Sequence, residues 1–507
     1  MTTSRLRTAS AICVLAIMAT SLGALTTSAS AAPGPSARGS WTMVPQSKDA
    51  NGDGVIDGDG GVPSSGALSR QPSRTYVGAG NHIAQPNERL IGGSLSWYLS
   101  KKGFPVRLDA CPSTGNEYRW IVKQGRKTVT TTAWRPLTKK KCRVILTLPE
   151  DRYTLRLEVR SGGRTARDTI TAKVRNLLVL SLGDSYASGE GNPRNVEAWL
   201  REGFPFAPYW DADGCNRSAR SGPALAALAL ENASAKSSVT LVDVSCSGAT
   251  VDRGILGPQS RTVGAQVEQA TQILDGRAAD LVLLSIGGND VGFVSILQSC
   301  ALSQNCPLST PPSGPLRSSA TVQQGVQAQT AELPGDYARI AACLGSDTCT
   351  LADGRTVPGI AVSEGGRVMP TLYPDITRAA NGQSCRYLTI TPQDFMWARD
   401  TVLLPTPANP YPYTTTSGST VNLPMGAGSL NQQIAATSSL GWSPIIGTWS
   451  ASGAGPAGHG VCAGSAAWVF GITALAGFSE ASFHPNPAGQ TVLAEQILAA
   501  AAGALRP

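Results

Sequence analysis

Three apolar runs constrain this chain more than any other feature of it. Residues 177–182, 239–244 and 281–286 are almost wholly apolar, and each stops abruptly in a loop of small residues. A strand with one wet face alternates apolar and polar residues; a continuous apolar run of this length is a strand covered on both sides. Stretches with helical character, 223–232 and 263–274, lie between the runs. Strand–helix alternation predicts an α/β unit with a parallel sheet and helices on both faces, a three-layer α/β/α arrangement. Ligands of such sheets bind beyond the carboxyl ends of the strands, where these loops gather. Residues 300–370 are rich in Gln, Ser, Pro and Cys and read as an insertion beside the site. The runs 368–373, 387–390 and 442–449 are candidates for the remaining strands.

The pattern before residue 177 is different. Tyr153, Leu155, Leu157 and Val159 alternate with polar residues, as do Ile170, Ala172 and Val174, with a Gly162-Gly163 turn between them. That period belongs to half-buried antiparallel strands, so 76–176 is expected to be a small β-sandwich preceding the α/β domain of 177–507. The module resembles the immunoglobulin-like, polycystin-repeat-type modules of secreted bacterial enzymes. Two readings stand beside each other for it: a spacer, or a contact to a surface or polysaccharide.

The compartment is read from the first residues. Arg5 and Arg7 precede an apolar stretch, 12–25, and then Ala29-Ser30-Ala31. This is the layout of a secretory signal peptide, 1–31, and the mature chain is expected to be secreted and extracellular. No later segment is long and apolar enough for a transmembrane span. Of the 11 cysteines, Cys13 falls within the leader, which leaves ten. An even number in an exported chain argues for disulfides over metal ligation. Proximity in sequence suggests the pairs Cys111–Cys142, Cys215–Cys246, Cys300–Cys306, Cys343–Cys349 and Cys385–Cys462, although spacing alone leaves connectivity open. The formal charge of +8 is scattered apart from Lys139-Lys140-Lys141. That short run lacks interleaved aromatics and reads as a solvated loop, not a nucleic-acid site.

Residues 32–75, rich in Gly, Pro, Ser and Asp, read as a linker. Within it, Asp49, Asn51, Asp53 and Asp57 fall at positions 1, 3, 5 and 9 of a loop, with Val55 offering a carbonyl at position 7 and Gly54 at the turn. Hard oxygen donors at that spacing suit a structural calcium ion. The loop resembles an EF-hand or dockerin-type loop but carries Gly60 where the bidentate carboxylate belongs.

The first glycine-rich loop, Gly183-Asp184-Ser185, presents a serine at a strand end. A serine hydroxyl needs a base and oxyanion donors to act as a nucleophile. There are only three histidines, His82, His459 and His484. His82 lies near the start of the β-sandwich module. His459 lies in Gly458-His459-Gly460-Val461-Cys462, where a hydrogen-bonded structural role fits it. His484 precedes Pro485-Asn486-Pro487, with Asn486 suited to cap a final helix and Pro487 to its first turn. Donors come from two loops: Ser245-Cys246-Ser247-Gly248-Ala249 and Ile286-Gly287-Gly288-Asn289-Asp290. Asp184 and Glu190 read as carboxylates that hold loop backbone.

Taken together, Ser185, Gly248, Asn289 and His484 resemble the four blocks of the SGNH hydrolases, or GDSL esterases/lipases. The stretches Gly214-Cys215-Asn216-Arg217-Ser218 and Gly458-His459-Gly460-Val461-Cys462 are similar to the secreted actinobacterial branch. The resemblance implies Ser185 as nucleophile and His484 as general base. It implies an oxyanion hole made by the N–H groups of Ser185 and Gly248 and the side chain of Asn289. It further implies a secreted serine esterase or lipase acting on ester or lipid substrates, with no cofactor for catalysis. A phospholipase or a polysaccharide O-deacetylase is the alternative among enzymes, and a non-catalytic surface-binding protein is the alternative outside them. One departure stands out: most of the family has an aspartate three residues before the histidine, and this chain has Ala481 there. A main-chain carbonyl near Ala481 or Ser482, or the side chain of Glu480, would then have to orient the imidazole.

Overall fold

The computed structural model describes residues 34–47, 49, 52–56, 102–202, 208–211, 213–261, 263–449, 458–473 and 481–502. The expected signal peptide, 1–31, the first part of the expected β-sandwich, 76–101, and His82, Asn51, Asp57 and Glu480 lie outside them.

The front module is built from antiparallel strands. One sheet has the order β1-β2-β6, from Ser40–Met43, Phe104–Asp109 and Arg143–Leu148. The other has the order β4-β3-β7-β8, from Lys127–Thr131, Glu117–Gln124, Asp151–Ser161 and Arg164–Val174, with the short β5 (Arg135–Pro136) also on β3. The alternation in β7 works as its sequence requires. Tyr153, Leu155, Leu157 and Val159 point inward and share one core with Trp41, Val106 and Leu108 of the other sheet. A correction concerns the linker of 32–75: Ser40–Met43 is not linker but the β1 edge strand, paired antiparallel with β2. Its Trp41 and Met43 fill that core, and the polar residues around them mask a short strand signal. Lys139-Lys140-Lys141 is an exposed turn.

Strand β8 ends at Val174, and β9 (Asn176–Gly183) begins two residues later. β9 is the middle of a parallel sheet of order β10-β9-β11-β14, with β10 at Ser238–Asp243, β11 at Ala279–Ser285 and β14 at Val362–Pro370. The antiparallel hairpin β12–β13 (Thr348–Thr350 and Thr356–Pro358) precedes β14. Apolar residues leave β9 on both sides. Leu178, Leu180 and Leu182 join one cluster, while Leu177 and Val179 join another. This explains why the runs do not alternate. Helices α3 (Gly222–Ala233) and α9 (Pro487–Ala501) cover the second face, and Gly222 N donates to Gln490 Oε1 at 2.7 Å between them. On the first face lie α4 (Gln266–Leu274) and α6 (Val322–Ala341).

Residues 300–370 are therefore more than an insertion. They supply the covering helix α6, whose Leu333, Tyr337 and Ile340 are buried in the main core, and also the fourth strand. Their polar composition belongs to the outer face of α6. Residues 387–390 and 442–449 form no sheet strands: Tyr387 and Ile390 only bridge each other, and Ile445 makes a single parallel bridge with Thr371. No helix among the described residues is long and apolar enough to cross a membrane.

The module docks at the amino ends of the sheet strands. Asn176 N donates to Glu150 Oε1 at 2.6 Å, and Lys236 stacks over the Trp41 ring at 4.4 Å. The buried Glu231 carboxylate is the main rivet. Its Oε2 accepts from Gln46 N (3.0 Å), Ser47 N (3.1 Å) and Val239 N (2.8 Å). Replacing Glu231 with Ala strands three backbone donors, and we expect it to cost roughly 2–4 kcal/mol. Denaturant titration checks this; a loss below about 0.5 kcal/mol would mean water replaces the carboxylate.

Candidate functional site

β9 delivers Ser185 through a turn that only glycine can make. Gly183 has φ 142°, and a Cβ there would lie 2.2 Å from Ser285 O. Asp184 then caps the one-turn helix α1 (Ser185–Ser188), its Oδ1 accepting from Tyr186 N at 3.0 Å. The same carboxylate accepts from Ser285 Oγ at 3.2 Å and from the Tyr373 hydroxyl. Tyr373 OH in turn accepts from Gly288 N at 3.0 Å. A chain of hydrogen bonds thus joins the serine loop to the Gly287-Gly288-Asn289 loop through the segment that follows β14.

The β10 loop is held against the serine loop by Cys246 N donating to Gly183 O at 2.9 Å. Gly248 follows with φ 75°. Neither the Ser185 nor the Gly248 backbone N–H has a hydrogen-bond acceptor among the described residues. Asn289 spends one side-chain N–H on Ala249 O at 3.0 Å, which leaves its second available. Ser185 and Asn289 line one cleft.

His484 sits in the loop before α9. Its Nδ1 lies 3.0 Å from Ser482 O; a carbonyl only accepts, so Nδ1 carries the proton and Nε2 the lone pair. Ala481 is buried and brings no charge. Phe483, immediately before the histidine, has φ 61°, a strained conformation for an aromatic residue. It is held there on both sides: Tyr186 OH donates to its carbonyl at 2.9 Å, and its N–H donates to Phe470 O at 3.1 Å. Asn192 Nδ2 donates to Pro485 O at 2.6 Å. The serine and histidine loops are thereby laced together, with the Tyr186 and His484 rings 5.6 Å apart. The Ser185 hydroxyl itself makes no hydrogen bond to the imidazole within 3.5 Å. Nε2 instead faces Glu190 Oε2 at 3.4 Å.

Glu190 is the residue whose placement the sequence reading did not anticipate. Its carboxylate accepts from Asn216 Nδ2 at 3.0 Å and from Ser247 Oγ at 2.5 Å. Asn216 and Ser247 neighbour the two halves of the Cys215–Cys246 disulfide. A glycine-flanked glutamate five residues from Ser185 was the available signal, but it reads equally as a turn.

Other candidates fall elsewhere. His459 stacks on Trp468 at 3.6 Å, with Nδ1 at 2.7 Å from Ala466 O, which is a structural arrangement. The other disulfides are Cys111–Cys142, Cys300–Cys306, Cys343–Cys349 and Cys385–Cys462. In the calcium-like loop, Asp49 Oδ1 accepts from Gly52 N (2.7 Å) and Asp53 N (3.1 Å), and Oδ2 from Gly54 N (3.0 Å). Among the described residues the one set of clustered ligand atoms is Asp109, Cys111 and Cys142. Its sulfurs are joined to each other, so it is no metal centre.

No protein-family model and no curated protein matches the sequence. Solved structures similar to it include a carbohydrate acetylesterase of Sinorhizobium meliloti, 12% identical, covering 64% of this chain and 99% of its own, with a TM-score of 0.28. Another is a family two carbohydrate esterase of Clostridium thermocellum, 10% identical, covering 79% of this chain and 92% of its own, with a TM-score of 0.25. Superpositions of that quality carry no weight for the chemistry of this chain.

Three buried carboxylates surround the site. Burial pushes Asp184 up to about 6 against the opposing effect of the Tyr373, Tyr186 and Ser285 hydrogen bonds, and Asp243 likewise up to about 6. Burial pushes Asp290 up to about 7, with Asp336 and Asp184 adding to the rise. Each raised value means the folded state holds a proton that the unfolded chain releases near pH 4. The stabilisation is complete below that pH and is lost as pH rises through 6 to 7. Asp290→Asn keeps the Oδ1 acceptor for Val251 N (2.9 Å) without the charge. We expect it to be more stable than the parent by on the order of 1 kcal/mol at pH 8 and level with it at pH 4. Melting curves at the two pH values check this.

Proposed function

We propose that the protein is a secreted serine ester hydrolase of the SGNH type. The observation that carries this reading is the common cleft of Ser185 and Asn289, laced to a loop that holds the His484 imidazole by the Ser482 carbonyl. Ser185 Oγ attacks the ester carbonyl carbon while His484 Nε2 takes the hydroxyl proton. The oxyanion accepts from the N–H groups of Ser185 and Gly248 and from the Asn289 side chain. Collapse expels the alcohol, protonated by Nε2, and leaves an acyl-enzyme. Water, deprotonated by the same nitrogen, releases the acid. The serine–imidazole hydrogen bond closes when substrate enters, as catalytic contacts commonly tighten only in the Michaelis complex.

No carboxylate stands at position 481, so Ser482 O fixes the tautomer without adding charge. Glu190 supplies the charge from the other side. The imidazolium formed during attack lies within reach of its carboxylate, which Asn216 and Ser247 hold in place. Secretion accords with the five disulfides, which persist in oxidising surroundings. The all-oxygen donor set of loop 49–57 supports a structural calcium ion, far in sequence from the chemistry.

Hydrolysis of p-nitrophenyl butyrate tests the reading. The parent should turn over, and Ser185→Ala and His484→Ala should each lose at least 10³-fold in kcat. Glu190→Gln should lower kcat/KM by roughly 10–100-fold, because the imidazolium formed during attack loses its neighbouring anion. An unchanged kcat/KM in a folded Glu190→Gln protein would make Glu190 a purely structural residue.

A further inference from the structure

Resting on the hydrolase reading above, we propose that this site takes esters of linear fatty acids of about eight carbons or more, with the acyl chain running away from Ser185 beneath helix α5 (Phe293–Leu302). A second, apolar cavity adjoins the cleft at Ser185. Phe293, Ile296, Ile376, Val402 and Leu403 line both, and in this proposal the two spaces serve as one passage. The first of these residues come from α5, Ile376 from the segment after β14, and the last two from the π-helical turn Ala398–Leu403 that follows α7 (Pro392–Trp397).

The far part of the passage has nothing to offer a sugar. Its polar side chains are spent elsewhere. Asp394 accepts from Cys306 N (3.0 Å), Tyr413 OH (3.0 Å) and Thr391 Oγ1 (2.6 Å). Thr377 donates to Asp375 Oδ1 at 2.5 Å. What remains facing the space is aliphatic and aromatic carbon, with Cys300 bound in its disulfide to Cys306. An acetyl group would occupy only the mouth and leave this surface bare. A linear alkyl chain fills it, gaining with each methylene removed from water. The Cys300–Cys306 bridge joins the end of α5 to the turn whose Cys306 N is held by Asp394. The walls of the passage are therefore fixed to one another.

The test is a chain-length series of p-nitrophenyl acetate, butyrate, octanoate and decanoate, each below its micelle concentration. We expect kcat/KM to rise at least tenfold from butyrate to octanoate; full burial of every added methylene would give about fourfold apiece. Ala398→Trp, at the far end, should cut the decanoate-to-butyrate ratio about tenfold. A folded enzyme that prefers acetate, or one with a flat series, overturns the chain-length assignment and leaves the hydrolase reading standing. Absence of turnover on every ester, by protein that shows a cooperative melt, overturns both. Should Ala398→Trp fail to fold, the parent series still decides.

Discussion

The carboxylate of Asp184 sits where three loops meet, and the rest of the site is arranged about it. It caps the helix that begins at Ser185, takes a hydrogen bond from the end of β11 through Ser285, and takes another from Tyr373. Tyr373 then fixes Gly288, one residue before Asn289. The spacing between Ser185 and Asn289 is therefore set by side-chain hydrogen bonds inside the core, where few waters compete for them. Enclosure is also why the group holds its proton more tightly than an exposed aspartate. A site built this way trades some stability at neutral pH for fixed geometry.

The parallel sheet was legible because double burial leaves a plain trace, apolar residues with no alternation. Ser185, Gly248 and Asn289 could be singled out because each lies in a loop of small residues that follows an apolar run. Other features left weaker traces. Strand β1 is only four residues long, and its signal drowns among polar neighbours. Helix α6 has a mostly wet outer face and a proline within it, so its sequence resembles loop. The placement of Glu190 depends on Asn216 and Ser247, and these converge only because Cys215 meets Cys246. The passage behind Ser185 is assembled from α5, the segment after β14 and the turn after α7. No local pattern encodes a space between elements so far apart in sequence.

The histidine loop departs from the arrangement that an aspartate at position 481 would give. Ser482 O and Glu190 approach the two ring nitrogens from opposite sides. The first restricts the tautomer and the second addresses the charge. In the proposed mechanism, two tasks usually assigned to one carboxylate are divided between a peptide group and a side chain of the Ser185 loop. The strained Phe483 backbone is the cost of bending the chain so that its neighbouring carbonyl can serve.

Strand β8 runs into β9 with a single residue, Arg175, between them. Nothing in that connection can act as a hinge, and Glu231 clamps the same junction from beside it. The module therefore meets the sheet at one end, while Ser185 lies at the other, about 25 Å away along an eight-residue strand. Any surface gripped by the module would hold the cleft at a constant height and heading, pointed outward, much as a handle fixes the direction of a blade.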